Sequence, residues 1–162
     1  MTALGVFRDD FYNAVSALAQ SQVVTTTAGT STVPASSLAG AGDCYLDVSG
    51  GAAVTYTTDS AINIIAAVQI AVANAYKQGL GSFAAGVNPP PGVPNLFNLS
   101  WTLTINNQNS ASITLTGGTG VTLVGTNAGT IVTDTMRVYV VTITSPTTVT
   151  MQSVGAFLST AP

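Results

Sequence analysis

The amino-acid sequence predicts a mainly β fold: an antiparallel, jelly-roll-like sandwich with one long buried helix and a short N-terminal helix. Three observations point there. From Trp101 to Val154 the chain alternates threonine with valine, isoleucine and leucine in short runs, broken by Gly, Asn and Pro turns, the pattern of a sandwich of many short strands. Residues 59–78 form an apolar helical stretch. Phe7, Phe11, Val15 and Leu18 recur at helical spacing near the start. At 162 residues the chain suits one domain able to bury a real core. Its expected layout is a helical arm at 1–20 and a sandwich at 21–162, with the helix at 59–78 and a proline-rich loop at 86–94.

The elements follow in order. Phe7 to Gln20 reads as the first helix, with Asp9 and Asp10 in its first turn where the helix dipole favours negative charge. Gln22–Thr27 and Thr30–Val33 are β-branched, threonine-rich runs, and Pro34 ends them. Ser36 to Gly42 is a connection of small residues. Asp43–Val48 reads as a strand with Cys44, Leu46 and Val48 on one side, Gly50-Gly51 as a turn, and Ala53–Thr57 as its hairpin partner. Thr58 or Asp59 is then placed to cap the long helix.

Along that helix Ile62, Ile65, Val68 or Gln69, Val72 and Tyr76 line one face. Ile64, Ala67, Ile70 and Ala71 widen the band round much of the circumference. So apolar a helix packs on two sides, one against the sheet and the other open to a neighbouring subunit. Gly79 to Pro94 contains Asn88-Pro89-Pro90-Pro91-Gly92-Val93-Pro94. Consecutive prolines make an extended, donor-poor segment; it is either an arm laid across a partner or a plain crossover loop.

The second half is strand after strand. Trp101, Leu103 and Ile105 share a face opposite Thr102 and Thr104. Asn106–Ser110 is a polar turn. Ile113 and Leu115 alternate with Thr114 and Thr116, and Gly117–Gly120 reads as a hairpin turn into Val121–Val124. Gly125–Gly129 turns again, Arg137–Thr144 is a long strand, Ser145-Pro146 a tight turn, and Thr147–Val154 the last strand.

The composition limits the chemistry. Charged residues are 6% of the chain and hydrophobic residues 46%, against about 25% charged in a typical domain. The chain has three Lys or Arg, six acidic residues (all aspartate) and no histidine. Either much of the surface is covered by other subunits, or a hydroxyl-rich coat protects an extracellular or thermally tough monomer. Arg8, Lys77 and Arg137 are far apart and the net charge is −3, which argues against nucleic acid. Cys44 stands alone, so it forms no internal disulfide or zinc cluster, and with no histidine nothing activates it; it reads as a small core residue.

No targeting segment is expected in Met1–Asp10, and Ala61–Tyr76 is too short and too marked by Asn63, Gln69 and Asn74 for a membrane span. Without a secretory signal, Asn98-Leu99-Ser100 is an accidental glycosylation match. Asp43 and Asp47, with Asp59, are the nearest thing to a calcium set, but no acidic loop of the required kind is present. Asp9 and Asp10 point apart on a helix, Arg137 and Asp134 read as a local pair or a subunit contact, and Gly117–Gly120 lies between strands rather than before a helix. No nucleophile–base–orienter set can be assembled, so no catalytic residue, metal or cofactor is expected.

Two stretches resemble a known family. They are Ser112-Ile113-Thr114-Leu115-Thr116-Gly117-Gly118-Thr119-Gly120-Val121-Thr122-Leu123, continued by Arg137–Thr144 and Val149–Gly155, and the short Gly5–Ala14. Together they resemble tailed-bacteriophage capsid decoration, or cementing, proteins. The resemblance covers about a third of the chain at the C-terminal end. It implies a jelly-roll-like subunit, commonly trimeric, that binds the outside of an assembled shell and reinforces it. The expected partners are then the major capsid protein and the chain itself as a homotrimer, and the expected place is the exterior of a virion assembled in a bacterial cytoplasm. Phe7, Arg8, Phe11, Tyr12, Pro89, Pro90 and Pro91 are the residues expected at the protein interface. The competing class is a tail-fibre or receptor-binding module, which calls for clustered aromatics; Trp101 is the one tryptophan and the five tyrosines are scattered.

Overall fold

The chain passes back and forth between two sheets, and this passage decides its topology. In the computed structural model, residues 22–26, 29–39, 42–48, 53–75, 96–107 and 109–158 are described. Strand β1 (Gln22–Thr26) lies in a six-stranded sheet and β2 (Gly29–Val33) in a four-stranded one. The next pair, β3 (Gly42–Val48) and β4 (Val54–Thr58), repeats the step, and β5 (Ser100–Asn107) and β6 (Ile113–Thr116) repeat it again. Strands of successive passes lie side by side and parallel: β1 on β3 on β5 in the large sheet, β2 on β4 on β6 in the small one. Parallel neighbours need a crossover; here each crossover runs through the opposite sheet. The result is three turns of a flattened coil.

The rest of the chain closes this coil. Strand β7 (Val121–Val124) returns to the large sheet and β8 (Thr130–Ile131) to the small one. Strand β8 runs antiparallel to β6, and β9 (Thr135–Ser145) antiparallel to β5. Strand β10 (Thr148–Leu158) forms a hairpin with β9 and pairs in parallel with β7. The strand orders are β1-β3-β5-β9-β10-β7 and β2-β4-β6-β8.

One core lies between the sheets. The small sheet contributes Val54, Tyr56, Ile113, Leu115 and Ile131. The large sheet contributes Cys44, Leu46, Trp101, Leu103, Ile105, Tyr139, Val141, Ile143, Val149 and Met151, all buried. The alternation read from Trp101, Leu103 and Ile105 is therefore the inward face of β5. The Trp101 indole N–H reaches across to the Leu38 carbonyl at 2.9 Å, which satisfies the one polar atom of an otherwise apolar side chain.

Two helices follow the small-sheet strands at the same corner of the coil. Helix α1 (Ala35–Leu38) comes after β2, within what reads in sequence as a simple connection. Helix α2 (Ala61–Ala75) comes after β4 and packs against α1 and β10. It starts two residues later than the expected 59–78 helix, and 76–78 lie outside the described residues. The cap is Ser60, whose hydroxyl accepts from the Asn63 amide at 3.3 Å, rather than Thr58 or Asp59. Ala61, Ile64, Ile65, Val68 and Gln69 are buried, while Ile62 and Ile70 are half exposed, so the inward face is rotated from the stripe through Ile62 that the periodicity suggests.

Several expectations are corrected. Among the described residues five strand pairings are parallel and three antiparallel, so the sheets are mixed rather than those of an antiparallel jelly roll. Apolar–polar alternation reports a half-buried strand and is silent about its neighbour's direction. For the same reason β3 and β4 are not a hairpin: they lie in different sheets. The segment Gly117–Gly120 likewise crosses from β6 to β7 in the other sheet. It passes so close to the α2 corner that a Cβ on Gly118 would sit 2.2 Å from the Thr58 carbonyl oxygen. Its amides and carbonyls fasten that corner, Gly118 N–H donating to the Thr58 hydroxyl at 2.8 Å and Ala61 N–H to the Thr119 carbonyl at 2.9 Å. The expected helix over 7–20 and the proline-rich loop fall outside the described residues.

Candidate docking faces

The outward face of the small sheet is built almost entirely of threonine. Strand register aligns Thr30, Thr55, Thr114 and Thr130 in one row across all four strands, and Thr32, Thr57 and Thr116 in a second row. The cause is a Thr-x-Thr pattern on each of β2, β4 and β6, with Ser31, Tyr56 and Leu115 between the threonines. Within a strand, residues two apart share a face, and neighbouring strands lie about 4.8 Å apart. Parallel pairing then brings like residue beside like residue. The Thr57 and Thr116 hydroxyls are 3.0 Å apart, and Thr116 donates to the Tyr56 carbonyl at 3.2 Å. The large sheet repeats the theme with Ser100, Thr142, Thr150 and Thr122 in register, the first two joined at 2.7 Å.

Charge is handled by burial or by clamping. Arg137, on β9, is buried, and its Nε donates to the Thr130 carbonyl at 3.0 Å while Nη1 donates to the Ser153 hydroxyl at 2.8 Å and the Thr126 carbonyl at 3.4 Å. Of the two roles expected for Arg137, the local pair with Asp134 does not form; Asp134 occupies a left-handed turn with φ 52 before β9. Two residues along, the Tyr139 hydroxyl donates to the Ala128 carbonyl. Burial raises the Tyr139 pKa above the ordinary phenol range, and the Arg137 charge partly opposes that rise. Together Arg137 and Tyr139 hold alternate carbonyls of the 126–130 loop over the end of the sandwich.

Asp59 has a similar structural duty. One carboxylate oxygen accepts from Ser60 N–H and Asn63 Nδ2, each at 2.7 Å, and the other accepts from Ala35 N–H at 3.3 Å. It thus ties the start of α1 to the start of α2. Among the described residues no group of three acidic, Cys or His side chains is placed to hold a metal ion. Cys44 is buried in the core, and desolvation pushes its thiol up to about 12, the state of an inert packing residue.

The other notable surface is apolar. On β10, Val154, Phe157 and Leu158 are exposed, as is Val132 in the turn before β9. The interface residues expected from the sequence, Phe7, Arg8, Phe11, Tyr12, Pro89, Pro90 and Pro91, lie outside the described residues. The threonine rows were present in the sequence as three Thr-x-Thr pairs; what turns them into rows is the coil, which brings distant segments into register. No helix among the described residues is long and apolar enough to cross a membrane. Comparison with protein-family models, curated proteins and solved structures finds no match to the chain.

Proposed function

We propose that this chain is a structural virion protein that binds the outer surface of an assembled phage capsid, as a self-associated oligomer, and stabilises it without catalysis. The observation that carries this reading is the set of three in-register hydroxyl rows on the sheets' outer faces. A face of threonine methyls and hydroxyls buries against another protein without stripping water from charges, the step that makes charged interfaces expensive. Each apolar Å² removed from water contributes about 25 cal/mol, and a contact repeated round a symmetric shell multiplies that gain. Subunits that first associate with one another then dock with several contacts at once. A coil of stacked strands gives the rigid platform such a contact needs.

The test is location and binding. Electron microscopy of virions carrying and lacking the labelled chain should place it on the shell. The purified protein should cosediment with shells that lack it, and Thr55→Lys with Thr114→Lys should weaken that binding at least tenfold with the fold intact. Label at the tail tip, or glycan binding by the isolated protein, would instead select a receptor-binding fibre module.

A further inference from the structure

The margin of the large sheet is open where β10 outruns its neighbour. Strand β7 pairs with Val149–Gln152 alone, whereas β10 continues against β9 as far as Leu158. At Ser153 the margin is covered: Arg137 bonds the Ser153 hydroxyl and the Thr126 carbonyl together, drawing the loop after β7 over it. From Val154 onward the outer edge has no strand partner among the described residues. A bulge between Ser153 and Gly155 resets the phase, so that Phe157 opposes Met136 and Leu158 opposes Thr135. Consecutive residues project to opposite faces of a sheet, yet Phe157 is 51% exposed and Leu158 78%. Both faces of this strand end are therefore open, and among the described residues no strand pairs with its outer backbone edge. Sheets ordinarily guard such an edge with Lys, Pro or a covering loop; Val154-Gly155-Ala156-Phe157-Leu158 has neither a charge nor a proline.

We propose that the Val154–Leu158 edge pairs with a second copy of this chain, extending the large sheet from one subunit into the next. The inference rests on the self-associating part of the proposed function and supplies the surface responsible. Two features select the occupant. A strand edge is complementary to its own kind, since N–H and C=O groups alternate along it and a copy brings the matching set. Charge also selects. The chain carries −3 overall, but the tail and its β9 partners Thr135–Val138 contribute only the Arg137 guanidinium, which is buried and bonded to the loop, and the exposed Asp134 lies beyond them, one strand in from the edge. Two copies therefore meet here without apposing like charges, whereas a strongly charged partner would find no counter-charge. Val132, beside Thr135, widens the apolar area available for burial.

The experiment is the solution mass of the full chain by sedimentation and native mass spectrometry. The expected result is twice the mass of the 16.2 kDa chain, the two-fold pair that an edge meeting its own copy closes, falling to the single-chain mass in Phe157→Lys with Leu158→Lys and in Leu158→Lys alone. Circular dichroism should be unchanged, because both side chains are exposed, and Thr30→Lys on the other sheet should keep the native mass. A native protein that runs as a single chain overturns the inference, as does a tail variant that keeps its oligomer, or a Thr30→Lys protein that loses it. Shell binding is measured separately: a shell-binding monomer sinks this pairing and spares the decoration reading, and an oligomer indifferent to shells does the reverse.

Discussion

The three-turn coil and the C-terminal hairpin use the same residues to different ends. In the coil, strands of four to eight residues stack side by side, with Val54, Ile113 and Ile131 in register inside and Thr55, Thr114 and Thr130 in register outside. In the hairpin, two eleven-residue strands begin inside the sandwich and end outside it, running from fully buried Val149 and Met151 to exposed Phe157 and Leu158. The difference shows what alternation alone can do. Where every strand is flanked by others and faced by a second sheet, it makes a core and a neutral coat. Where the strand outlasts its neighbours, the same alphabet leaves an unguarded edge.

The largest expected effect breaks the coil and leaves the tail alone. Ile113 is fully buried at the centre of the small sheet, between Val54 and Ile131. Ile113→Ala removes packed methyl groups that neighbouring strands cannot close over, a loss of about 2–5 kcal/mol. Leu158→Ala, on a side chain 78% exposed in the single chain, should stay within about 0.5 kcal/mol of the native protein at concentrations low enough to separate the copies. Urea unfolding midpoints compare the two directly. Equal losses in the separated chain would mean that the tail packs against its own subunit rather than standing open for a second copy.

A smaller effect is expected where the two regions are sewn together. Arg137→Met keeps the length of the side chain but deserts the Thr126 and Thr130 carbonyls and the Ser153 hydroxyl. Leaving such groups unpaired costs about 1–3 kcal/mol, offset in part by no longer burying a charge. The signature is local: amides of residues 125–130 should exchange faster with solvent, while those of β4 and β6 keep their protection. Unchanged exchange in the loop would show that Tyr139, through its bond to Ala128, holds it alone.

How far the sequence carried this picture follows from what each signal measures. The inward faces of β5 and β6 were legible in Trp101, Leu103, Ile105, Ile113 and Leu115, because burial on one side dictates the alternation. Parallel stacking was not, because the partner of Val54 is Ile113, on the far side of α2 and of everything up to Asn107, and no local pattern announces a neighbour that distant. The last strand reads as ending at Val154 for a specific reason: the bulge flips the phase there, so the period of two stops although the strand goes on to Leu158. Gly117–Gly120 reads as a hairpin because glycines mark a turn without naming the sheet the chain turns into. Of the docking faces, the Thr-x-Thr pairs were visible and their alignment was not. Arg137 looked like half of an ion pair because sequence shows the nearby Asp134 and hides the nearer carbonyls.

The smallest expected effect sharpens the contrast by asking how each region tolerates a buried titratable group. Arg137 has its guanidinium bonded to neutral acceptors at the rim. Cys44, in the coil's core, has no such help and stays neutral, its thiol raised from the ordinary 9.0 to about 12 by desolvation. A group whose folded pKa is raised contributes fully below its unfolded pKa and loses that contribution as pH climbs towards the folded value. Cys44 is thus silent at neutral pH. Above pH 9 the unfolded chain sheds the thiol proton and the folded one does not, which pulls the equilibrium towards unfolding by about 1 kcal/mol between pH 9 and roughly pH 10. Cys44→Ala removes this slope while adding a constant loss from the missing sulfur. Plotted against pH, the stability difference between native protein and variant should be flat up to about 9 and then shrink. A difference that stays flat through that range would mean that water reaches the Cys44 thiol in the folded state, and that the coil's interior is less sealed than the buried row of Cys44 and Ile105 implies.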